Sequence, residues 1–164
     1  MGLQLPGGLT EFMNIIGYKW PEGDETKIFE IGQKWMKFAN TVKQISDNSN
    51  QAASVVWNQN SGQDISAFQN HFGHNDGPVK ILKDSGTASN VLGAGMAIAG
   101  AILLALKVQT IVQLVTLAIE TAQAIAEAVA TFGASLAQIP IFQQICRAAV
   151  GKLIDEVIGK LLNA

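Results

Sequence analysis

A chain of 164 residues is long enough for one buried core, yet only 15% of it is charged, against roughly 25% in ordinary soluble domains, while 48% is apolar. A net charge of −2 gives no basic footprint, which excludes nucleic acid as an expected partner. The single cysteine, Cys146, rules out an internal disulfide, and Met1–Gly17 has neither the basic start nor the long apolar run of a Sec-type signal peptide.

In chain order, Leu9–Gly17 predicts a short helix capped by Thr10, and Gly17-Tyr18-Lys19-Trp20-Pro21-Glu22-Gly23 predicts a turn broken by Pro and Gly. Asp24 is placed to cap a long helix, because its carboxylate accepts from the free N–H groups of a first turn. Glu25 adds negative charge at the positive end of the dipole. Along that helix Ile28, Ile31, Trp35, Phe38, Val42 and Ile45 alternate by three and four, and Ala52 and Val56 extend the row. Such a seam predicts the core of a helical hairpin. Lys27, Glu30, Lys34 and Lys37 fall off the seam, and the polar run Asp47–Asn50 predicts fraying near the middle.

Trp57-Asn58-Gln59-Asn60-Ser61-Gly62 closes the helix. A second arm from about Gln63 to Phe72 carries Ile65, Phe68 and Phe72 on one face, and Asn75-Asp76-Gly77-Pro78 stops it.

A hairpin bent at Trp and then Gly resembles the WXG100 family of type VII secretion substrates. The entry Trp20-Pro21-Glu22-Gly23-Asp24 is similar to that of the WXG100-like N-terminal domain of large actinobacterial toxins, the channel-forming necrotizing toxins of mycobacteria among them. In those proteins such an entry leads into a long helix, a Trp-containing bend and an Ala-Phe pair, a place held here by Ala67-Phe68. The resemblance covers roughly Leu9 to Phe72. It implies that Trp20, Pro21, Glu22, Gly23, Asp24, Trp57, Gly62 and Phe68 shape an interaction motif. It also implies secretion, or association with the cell envelope, by a signal-peptide-independent route, with the type VII machinery as a partner. Two features depart from the pattern: the bend reads Trp57-x4-Gly62 rather than Trp-x-Gly, and no Tyr-x3-Asp/Glu export signal follows the hairpin. Tyr18-x3-Glu22 precedes it and reads as part of the turn.

The second half differs in composition. Between Ser85 and Cys146 only Lys107, Glu120 and Glu127 are charged, and no proline falls between Pro78 and Pro140. The alanine-rich run predicts one long helix or a helix pair over 78–139. Ser85–Leu106 reaches the ~20 residues that span a membrane, and Gly93, Ala97 and Ala101 repeat at the four-residue spacing of close helix crossings. Gln109, Gln113, Thr116, Glu120, Gln123 and Glu127 form one narrow polar stripe. That stripe predicts either a sliver of water-facing surface in a bundle or the lining of a pore in an oligomer. Residues 140–164 predict a C-terminal amphipathic helix, with Val150, Ile154, Val157 and Leu161 opposite Lys152, Asp155, Glu156 and Lys160. It ends without a clear cap, as the N-terminal part of a longer protein would, or equally a natural C-terminus.

The expected architecture is therefore all-α: one helical domain over 1–164, with a WXG100-like hairpin at 9–77 followed by long apolar helices in an elongated bundle. No catalytic set emerges. His71 and His74 supply two of the four ligands a closed metal site needs, and Cys146 has no nearby base, so neither a metal nor a cofactor is expected. The expected role is non-catalytic helix–helix packing, against a helical partner or a second copy. Membrane insertion as a pore is the alternative.

Overall fold

The computed structural model describes residues 2–163, and among them no strand occurs. The α-helices are α1 (Thr10–Ile15), α2 (Glu25–Gln59), α3 (Gln63–Gly73), α4 (Pro78–Ala126) and α5 (Ile139–Leu162). Two compact units divide the chain. One holds Ile28–Ile98; the other holds the residues up to Lys27 together with those from Ala99 onward.

Local chemistry sets the helix boundaries. Asp24 Oδ1 accepts from the Lys27 N–H at 3.1 Å, so α2 begins on the expected cap. Gly17, at φ 76°, supplies the left-handed step after α1. Pro78 opens α4 where its missing N–H costs nothing. Thr10 is the first residue of α1 rather than its cap: a 3-10 turn at Gly7–Leu9 leads directly into the helix, and no side chain caps it. The polar run at 47–50 does not fray α2. There the Ser46 hydroxyl is buried and donates to the Val79 carbonyl at 3.4 Å. The apolar stretch 78–139 is one 49-residue helix followed by a turn. Ser135 closes that turn by donating its hydroxyl to the Ala124 carbonyl at 2.6 Å.

In the unit Ile28–Ile98 the inner face of α2 is made of small residues. Gly32, Ala39, Ser46 and Ala53 recur every seven positions and are buried. Gly93 approaches Gly32, Gly86 approaches Ala39, and Val79 meets Ser46, so α2 and α4 run antiparallel in heptad steps. The crossing is tightest at the two glycines. A Cβ added to Gly93 would lie 2.7 Å from the Gly32 carbonyl oxygen, and one added to Gly32 would lie 2.8 Å from that of Gly93.

This close approach corrects the expected hairpin core. The bulky row Ile31, Trp35, Phe38 and Ile45 points outward, with Phe38 50% exposed, while Val42 is buried and Ile28 half-buried. Rings on the contact face would hold the helices apart, so the glycine–alanine–serine face takes the inside. The long partner of α2 in this unit is α4 rather than α3, which buries none of its residues.

In the other unit Leu114, Leu117, Cys146 and Val150 pack with Leu9, Met13 and Ile16, joining α1, α4 and α5 around one core. Tyr18 lies half-buried against it.

The crossing yields a paired prediction. Gly93→Ala forces backbone apart and is expected to destabilise the protein by about 1–3 kcal/mol. Gly95→Ala, whose Cβ would meet nothing within 4 Å, should instead stabilise by about 0.5–1 kcal/mol through helix propensity. Urea denaturation followed by circular dichroism measures both.

Candidate functional site

Two features stand out: a buried ionic clamp and a set of outward apolar faces. The clamp centres on Lys107, which is 1% exposed. Its ammonium donates to Glu25 Oε2 at 2.8 Å, to the Gly23 carbonyl at 2.6 Å and to the Leu3 carbonyl at 3.1 Å. All three protons of the head group are thus used, the condition under which a buried charge is tolerated. The other carboxylate oxygen of Glu25 accepts from the Leu3 N–H. Trp20 lies alongside, its ring centroid 5.8 Å from the ammonium, and its indole N–H is buried without an acceptor among the described residues. Burial opposes the charge on Glu25, but the Leu3 N–H and the Lys107 ammonium outweigh it and hold the pKa at about 2, below the ordinary 4.5.

The entry and bend residues fall into different units. Trp20–Asp24 belong with the clamp, whereas Trp57, Gly62 and Phe68 shape the α2–α3 turn. There Trp57 packs on Phe68 and Phe72 with centroids 5.9 Å apart in each pair, and Gly62 takes φ 134°, which favours glycine. The outward row of α2 carries a T-shaped Trp35–Phe38 pair with centroids 6.0 Å apart. Ile31, Lys34, Trp35 and Phe38 line a shallow apolar hollow of about 390 Å³.

The polar stripe of α4 is split by its surroundings. Gln109, Thr116, Gln123 and Glu127 are exposed, while Gln113 and Glu120 are half-buried. The Cys146 thiol donates to the Gln113 carbonyl at 3.6 Å, and burial together with Glu120 pushes its pKa up, which makes it a poor nucleophile. His74 and Asp76 are exposed, 3.8 Å apart, and among the described residues no group of three His, Cys, Asp or Glu could hold a metal ion.

Sequence reasoning missed the clamp and the heptad register of the small-residue crossing, although Gly93 and Ala97, read as marks of a close crossing, do lie against Gly32. The crossing had a signal, because Gly86, Gly93 and Gly100 stand seven apart and all are buried. The clamp had only the oddity of one lysine in an uncharged stretch.

A helical chain with a Trp–Gly turn and no metal-holding cluster among its described residues needs a family to give it meaning. A family model of the WXG100 like domain matches residues 6–148. The chain belongs to the WXG100-like family. No curated protein and no solved structure matches it. WXG100-like domains are helical and associated with type VII secretion, an export route that uses no signal peptide. In this WXG100-like chain the matched region includes α1 to α4, the bend and every member of the clamp but Leu3.

Removing one partner of the clamp strands the other. Lys107→Ala should cost about 3–5 kcal/mol in denaturant melts, the scale for an orphaned buried charge. Because the folded pKa of Glu25 is depressed, its contribution to stability is complete above about pH 4.5 and is lost as pH falls toward 2. Melting temperature should decline through that window, and Glu25→Gln should remove this part of the decline.

Proposed function

We propose that the chain is a non-catalytic secretion and interaction domain that takes an effector or toxin to a type VII system through helix–helix packing. The observation that carries this reading is the outward row of Ile31, Trp35, Phe38 and Ile45 on α2, left uncovered by the small-residue packing behind it. Large aromatic side chains in a shallow hollow are typical anchors of protein interfaces. Lys34 and Lys37 lie on α2 among the same turns, which favours a partner helix with an acidic edge. The bend at Trp57 and Gly62 gives the export machinery a fixed aromatic corner.

Export of the full-length protein from a bacterium with a type VII system, compared with a strain lacking its secretion ATPase, tests the reading. Secretion should depend on the ATPase. The pair Trp57→Ala and Gly62→Ala should abolish it, as should Trp35→Ala with Phe38→Ala, while circular dichroism of the purified variants stays helical. Each aromatic anchor should weaken partner binding by roughly 30-fold or more, the loss expected at an interface hot spot. ATPase-independent export, or full export of both double variants, would sink the proposal.

A second reading rests on a different observation. Within Gln63–Ala126 lies a helical window long and apolar enough to cross a membrane, and only 22% of that window is buried. On that reading Ser85–Phe132 inserts, oligomerises and lines a pore with the polar stripe. Charge reversal at Glu120 and Glu127 should then change the ion selectivity of channels formed in planar bilayers; unchanged selectivity counts against it.

A further inference from the structure

α4 carries a second heptad row on the face opposite its buried one. From Ala101 to Ala126 its positions alternate by four and three, each is Ala, Val or Ile, and every one is exposed, with Val112 at 54%. We infer that this face pairs with the same face of a second copy of the chain, antiparallel, about a two-fold axis between Val112 and Val115.

The row itself argues for self-pairing. Reversed about its midpoint it nearly repeats: Val112 falls on Val115, Val108 on Ile119, Ala105 on Ala122 and Ala101 on Ala126. A two-fold interface needs that self-complementarity, because each position meets its mirror on the partner. The β-branched layers fill the centre, and the alanine layers let the backbones close up at both ends.

The edges of the row choose the direction. One edge is apolar, represented by Leu104 and Ile125, and the other is polar, represented by Gln109 and Gln123. An antiparallel two-fold sets each edge beside its own counterpart, apolar on apolar and amide on amide. A parallel pair would set the apolar edge against the glutamines.

Charge and area agree with this choice. No charged side chain lies on the row itself; on the polar stripe beside it only Glu120 and Glu127, toward one end, are charged, and Lys107 is buried on another face. In the antiparallel pair the glutamates of the two copies fall toward opposite ends, so the identical faces meet without like-charge repulsion. The row runs about 39 Å at ~1.5 Å per residue, and with its apolar edge it offers on the order of 800 Å², one partner's share of a standard interface. A lipid surface would require neither the alternating spacing nor the alanines. The α2 docking face plays no part in the pairing, so either inference can fail alone.

The test is light scattering of the purified full chain in detergent-free buffer over a concentration series. The wild type should be dimeric. Val112→Glu should raise the dimer dissociation constant at least ~100-fold, the scale for an unpaired charge buried in an interface, with helical content unchanged because the site is exposed. Mixing Val112→Glu with Val115→Lys should restore a dimer, since those positions meet across the axis. Mixing Val112→Glu with Val112→Lys should not. A wild type that is monomeric throughout, or that binds anionic lipid vesicles without dimerising, would overturn the inference. So would a dimer indifferent to Val112→Glu, or one restored only by the Val112 pair.

Discussion

The approach of Gly32 to Gly93 governs the unit from Ile28 to Ile98. Two helix backbones come close enough there that neither position has room for a methyl group. With that distance fixed, the positions at seven-residue steps after Gly32 must also be small, as Ala39, Ser46 and Ala53 are. The bulk of α2 has one remaining direction, outward. A helix that would ordinarily hide its tryptophan and phenylalanine displays them, because its interior is built from residues too small to keep anything else out. The exposed aromatic row is thus the counterpart of the glycine crossing rather than a separate feature.

Much of this architecture was legible in the sequence, and the misreading has a definite physical cause. Asp24 marked the start of α2, Gly62 and the Asn75–Pro78 run marked its neighbours' limits, and the all-helical class followed from alanine content and from the lack of proline between Pro78 and Pro140. Periodicity, however, weighs hydrophobicity, and α2 carries two interleaved heptad rows. The louder one, Ile31 to Ile45, suggested a core; the quieter one, Gly32 to Ala53, forms it. Glycine in a helix reads as weakness when judged by propensity alone. Here its repetition at seven-residue steps on α4 was the better guide.

The clamp lay beyond sequence reasoning for another reason. Lys107 and Glu25 stand 82 residues apart, and nothing in the local pattern of either predicts the other. A buried ion pair is weak evidence for stability, since two desolvated charges seldom gain more than they lose. What this one does is fix position. The ammonium holds two main-chain carbonyls, so the backbone at Leu3 and Gly23 is gathered to one point beside the start of α2.

That gathering has a consequence for the order in which the molecule is made. Leu3 must wait for a side chain 104 residues downstream before its carbonyl finds a donor. On a ribosome the first turns of the polypeptide therefore emerge with no place to dock, and they stay open until most of α4 has been synthesised. Contacts of such long sequence separation form late and slowly. The amino-terminal segment is thus free until Lys107 has emerged and is fastened only then, which leaves a nascent chain with an accessible leading edge.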